Sequence, residues 1–70
     1  MMSLEDMEKE IVNFIKSRGG KVPLVVVQKN ISWTVDGREM IFTVIDDMKQ
    51  RGILEISKNS FGIDVAYIKK

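Results

Sequence analysis

Seventy residues make room for one domain, and a chain of this length buries only about 60% of the surface its unfolded form exposes, so the fold is either economical or supported by a partner. With 44% hydrophobic residues, 30% charged residues and one proline, the composition excludes a disordered tract. There is no cysteine, which excludes disulfides and thiolate metal sites, and a net charge of +1 from 11 basic and 10 acidic residues is small for a protein that holds a polyanion by charge alone.

Along the chain, Ser3 with Asp6 three residues on resembles a capping box, and Leu4, Met7, Ile11, Phe14 and Ile15 recur at helical spacing. A helix over about 3 to 18 is predicted, stopped by Gly19-Gly20, with Lys16 and Arg18 where they suit the helix dipole. The next stretch, Lys21 to Asn30, is ambiguous. Its β-branched run reads as strand, whereas Pro23 suits the first position of a short helix. The preferred reading is a one-residue strand contact at Val22 followed by a short helix; the alternative makes residues 22 to 35 a β-hairpin, in a four-stranded domain.

Ile31 to Val35 then forms a turn. Asp36, with Glu39 three residues later, marks the start of a third helix over about 37 to 51. Ile41, Val44, Ile45 and Met48 give it an inward stripe at i, i+3, i+4 and i+7, and Gly52 ends it. Two strand-like runs follow, Ile53 to Ser57 and Ile63 to Ile68, separated by the turn formers Lys58-Asn59-Ser60-Phe61-Gly62, and read as a closing hairpin.

No repeat, linker or low-complexity segment interrupts this order, so residues 1–70 are read as one domain. The near-neutral total hides alternating blocks. Residues 1 to 10 sum to −3, 11 to 35 to +4, 36 to 47 to −3 and 48 to 70 to +3, which leaves room for a one-sided basic face. The acidic start and the lack of a ~20-residue apolar run predict neither a signal peptide nor a membrane span, and with the missing cysteines favour the cytoplasm.

Catalysis is the least supported function. Without histidine or cysteine there is no usual general base at neutral pH, no thiol nucleophile and no imidazole ligand, so neither enzyme activity nor a metal or other cofactor is expected. Asp46-Asp47 is the one adjacent carboxylate pair, and consecutive helix residues diverge by about 100°, too far to clamp one ion. The glycines match no phosphate-loop spacing, and no small-molecule site is evident.

The element order, together with Met48-Lys49-Gln50-Arg51-Gly52-Ile53-Leu54 as "hydrophobic, three polar, Gly, two hydrophobics", resembles the winged helix-turn-helix family over essentially the whole chain. The resemblance implies an α+β fold of three helices followed by a C-terminal β-hairpin wing, and a transcriptional regulator bound to double-stranded DNA, possible as a homodimer on two half-sites. Its third helix would enter the major groove, with Arg38 and Thr43 on base edges and Phe42 against thymine methyls. Lys29, and Lys58, Asn59 and Ser60 at the wing tip, would hold the backbone.

Protein-binding domains share that fold, so a second class stays open. In it Met40 and Phe42 meet a protein partner or a second copy, and Asp46 and Asp47 rim the contact. Trp33, the one tryptophan, is read as core, with stacking on a base or sugar as the alternative.

Overall fold

Ser3 starts the first helix as its spacing from Asp6 predicts. In the computed structural model, which describes residues 3–31 and 35–69, and residues 35–39 by their backbone alone, the Ser3 hydroxyl accepts the Asp6 backbone N–H at 3.1 Å. Helix α1 (Leu4–Ser17) carries Glu5 and Asp6 in its first turn and Lys16 in its last, each sign where the dipole favours it. Met7, Ile11 and Ile15 recur every fourth residue and are fully buried. The Arg18 guanidinium lies 4.9 Å from the centre of the Phe14 ring, covering a half-buried aromatic one turn back. The helix ends where the Gly20 N–H turns back to the Ile15 carbonyl at 3.0 Å.

Strand β1 (Lys21–Pro23) follows, then helix α2 (Leu24–Ile31). The ambiguous stretch is therefore helical from Leu24 onward, and the hairpin alternative over 22 to 35 gives way. Val25, Val26 and Val27 are poor helix formers, but a helix places Val27 and Ile31 on one face, where both are buried in the common core. Several details differ from those the sequence predicts: Ile31 and Val35, expected to bound a turn, instead end α2 and begin the next helix, because Ile31 is drawn into the core with Val27. The strand contact spans three residues rather than Val22 alone, and Pro23 closes that strand instead of opening the helix. As an edge-strand residue, Pro23 lacks a donor that the sheet does not need.

Helix α3 (Val35–Gln50) begins before Asp36, so Asp36 lies in its first turn and not at its cap. Ile41, Val44, Ile45 and Met48 are all buried, as their spacing predicts. At the end of α3 the Gly52 N–H reaches the Lys49 carbonyl and the Ile53 N–H the Met48 carbonyl, at 3.1 and 3.0 Å. Closing the helix this way takes Gly52 to φ 77°, which side-chain-bearing residues rarely adopt.

Strands β2 (Leu54–Lys58) and β3 (Asp64–Ile68) complete an antiparallel sheet of order β1-β3-β2. The hairpin is thus not a free ribbon: its second strand is central, paired with both neighbours. Ala66 lies opposite Val22 on one side and Ile56 on the other, and Ile68 opposite Leu54. These side chains join the helices' core. Strand alternation sends Tyr67, Lys21 and Glu55 to the other face, together with Val65, Pro23 and Ser57.

Among the described residues the architecture is α+β, three helices packed with a three-stranded antiparallel sheet. None of these helices is long and apolar enough to cross a membrane.

Candidate functional site

The residues singled out for DNA contact come from three places, and the fold separates them. Lys29 is exposed in the last turn of α2. Phe42 and Thr43 are exposed on α3 but, as consecutive helix residues, open toward different sides. Thr43 lines a shallow depression with Leu4, Glu8, Asp47 and Arg51, against α1. Phe42 lines a separate groove between α2, α3 and β2. Met40, named as an interface anchor, is half-buried and packs on the core, which leaves part of its side chain available. The Arg38 side chain, together with Trp33, lies outside the described residues.

The β2–β3 turn holds Lys58, Asn59 and Ser60, all exposed. Lys58 Nζ stands 3.2 Å from Asp64 Oδ1 across the hairpin, so part of its charge is answered within the chain. Asn59 has a structural task. Its Oδ1 accepts the backbone N–H of Phe61 at 2.8 Å and of Ile63 at 3.0 Å, while its own N–H donates to the Ile63 carbonyl at 2.9 Å. Gly62, at φ 76°, lets the chain turn back. The turn is therefore tied by its own hydrogen bonds and presents its tip in a fixed shape.

Arg51 was not among the sequence candidates, yet it organises the α1–α3 seam. Its guanidinium bonds Glu8 on α1, and its Nε donates to Asp47 Oδ2, four residues back, at 2.9 Å. The hydrogen bond to Glu8 is the largest influence on Arg51 and, helped by the Asp47 charge, raises its pKa above the ordinary arginine value, against a smaller opposing effect of desolvation. Asp46 accepts a bond from the Gln50 amide at 2.9 Å. Both carboxylates of the Asp46-Asp47 pair thus have local partners, each at i+4, and they point apart as expected.

The other feature missed in the sequence is Phe61. It is 84% exposed at the tip of the hairpin, more than any other large hydrophobic side chain among the described residues. An aromatic inside a run of turn formers is the available signal, masked by the polar residues and glycine around it.

No group of three or more acidic, histidine or cysteine side chains that could hold a metal ion is found among the described residues. The arrangement offers two surfaces: a helix face with an aromatic beside Asp46 and Lys49, and a stiff hairpin with a lysine and an aromatic. No family model, curated protein or solved structure matches this chain.

Proposed function

We propose that the chain is a winged-helix module that docks on double-stranded DNA, with α3 directed to the major groove and the β2–β3 hairpin, as the wing, on the flanking backbone. The observation that carries this reading is the wing itself. It is a hairpin anchored through its central strand to the core, with a turn fixed by Asn59 and with Lys58 and Ser60 exposed beside it. A turn already ordered loses little conformational entropy when it meets a phosphate, so even one lysine there contributes usefully. The order α1, β1, α2, α3, hairpin agrees with the reading, as does the packing of α2 on α3.

In this account Arg38 and Thr43 reach base edges, while Lys29, Lys58, Asn59 and Ser60 contact the backbone. Asp46 and Asp47 set the depth of docking, because they lie farther along α3 and repel phosphates. Affinity then comes mostly from salt-sensitive backbone contacts. Retention on immobilised duplex DNA tests this directly: Lys29→Glu with Lys58→Glu elutes at lower salt than the unaltered chain. Unchanged elution of that variant rejects the proposal.

A second reading, a winged helix that binds protein, is favoured by one observation. Phe42 is 63% exposed on α3 and opens toward a different side of the helix from Thr43, where an aromatic serves better as an interface anchor than as a base contact. A duplex-binding defect in Phe42→Ser supports the first reading; lost self-association or partner capture with duplex binding intact supports the second.

A further inference from the structure

Residues along an antiparallel strand send their backbone N–H and C=O groups alternately to one side and to the other. The Asn59 N–H reaches the Ile63 carbonyl at 2.9 Å and the Lys69 N–H the Ile53 carbonyl at 2.9 Å, which fixes the phase of the β2–β3 ladder. Ile53, Glu55, Ser57 and Asn59 therefore face β3. The N–H and C=O groups of Leu54, Ile56 and Lys58 point off the free side of β2, where no described residue bonds to them. The opposite edge of the sheet is different. There the Ile68 N–H reaches the Gly20 carbonyl at 3.0 Å, so Gly20 and Val22 face β3 and the chain turns Lys21 and Pro23 outward. Proline has no N–H, which leaves Lys21 as the outward donor of β1. The sheet thus has one edge blunted by a proline and one that is regular, with an unbroken register and neither proline nor bulge.

From this asymmetry we infer that the open edge of β2 pairs with β2 of a second copy of this chain, antiparallel about a two-fold axis through Ile56, joining two three-stranded sheets into one. In that register Ile56 lies opposite Ile56 of the second copy, and each Leu54 opposite a Lys58. Every outward donor of the edge then meets an outward acceptor. The side chains select this register over its neighbours. Sliding the strands by two residues one way sets Glu55 directly against the other Glu55, and sliding them the other way sets Ile56 against Lys58. Either slip also leaves one outward residue of each strand without a partner. A slip of one residue would bring outward groups against inward ones and side chains against the wrong face. In the two-fold register through Ile56 the apolar pair meets on the axis, and Glu55 faces Ser57 on the outer side of the sheet.

The pairing uses the whole open edge of each chain, and β1 supplies no second edge of the same kind, so association stops at two copies. It takes the backbone groups of Lys58 and leaves that side chain and the hairpin tip uninvolved, and it does not rest on the DNA-binding reading. A strand of five residues a side is small beside the roughly 20–30 residues of a standard interface, so the pair forms only at high protein concentration.

Residue-resolved amide hydrogen exchange of the full chain, from low micromolar to millimolar concentration, tests this alongside sedimentation velocity. The expected mass rises toward twice the monomer's. The amides of Leu54, Ile56 and Lys58 slow by about tenfold or more as the pair fills, whereas the outward amide of Lys21 on the other edge exchanges as fast as in dilute solution. Ile56→Lys sets two lysines face to face on the axis and stays monomeric; Ile56 is half-buried, and circular dichroism shows whether the variant is folded. Should that variant fail to fold, exchange in the unaltered chain decides the matter. A chain that stays monomeric at millimolar concentration overturns the inference. So does association that leaves Leu54, Ile56 and Lys58 exchanging as in dilute solution, or a folded Ile56→Lys variant that associates like the unaltered chain.

Discussion

Asn59 shows how a side chain's chemistry and its local task can compete. Asparagine in a hairpin turn was read from the sequence as a backbone contact, yet its carbonyl oxygen is occupied by two N–H groups of its own turn. Asn59→Ala should destabilise the hairpin by about 1 kcal/mol, the usual net worth of such bonds, and be seen as earlier loss of amide-exchange protection at Phe61 and Ile63. Ser3 is the simpler case. Its cap was legible because a hydroxyl three residues before a backbone N–H has one geometric use, and Ser3→Ala should cost about 1 kcal/mol by chemical denaturation. Phe61 was not legible, because sequence patterning reports which residues suit a turn and not which of them end up at its apex.

At the scale of elements, what the sequence disclosed followed how much periodicity each segment carried. The first and third helices have apolar residues spaced over several turns, and their buried faces match that spacing. The second helix has eight residues and three consecutive valines, so local propensity pointed toward strand while the core selected helix through Val27 and Ile31. The third strand, β1, was foreshadowed by Val22 alone, since three residues are too few for an alternating pattern.

The seam between α1 and α3 escaped for a different reason. Glu8 and Arg51 are 43 positions apart, a pairing only the fold reveals. Arg51→Ala should lower the melting temperature slightly, and by less at high salt, because the pair is exposed to solvent. Its pH dependence has a definite sign. Arg51 has a raised folded pKa, so its contribution is full below its unfolded pKa and is lost only as pH rises through the folded value in strong alkali. The difference in melting temperature between the two proteins should therefore be the same at neutral and mildly alkaline pH.

For the molecule as a whole, a single core joins all three helices to the sheet, and a chain of this size has little stability to spare. At roughly 0.05–0.15 kcal/mol per residue the total is about 4–10 kcal/mol. Met48→Ala, at a fully buried position, should remove about 2–5 kcal/mol, a large fraction of that total, whereas Phe42→Ser on the exposed face should change the denaturation midpoint little.

That contrast separates residues kept for folding from residues free to bind, and the free ones are divided between a helix face and a hairpin tip. The α+β class was readable from element order and alternation. The function was not, because a near-neutral chain can carry its basic groups toward one face or scatter them, and composition is the same in either case.

Whether the chain binds DNA is tested most directly by a fluorescence-anisotropy titration of random-sequence duplex at two salt concentrations. Saturable binding at low salt that weakens steeply as salt rises is expected, with a shallower salt dependence for the variant combining Lys29→Glu and Lys58→Glu, since each lost phosphate contact lowers the logarithmic slope by about 0.9. No binding at low salt, by a chain whose circular dichroism shows it to be folded, would contradict it.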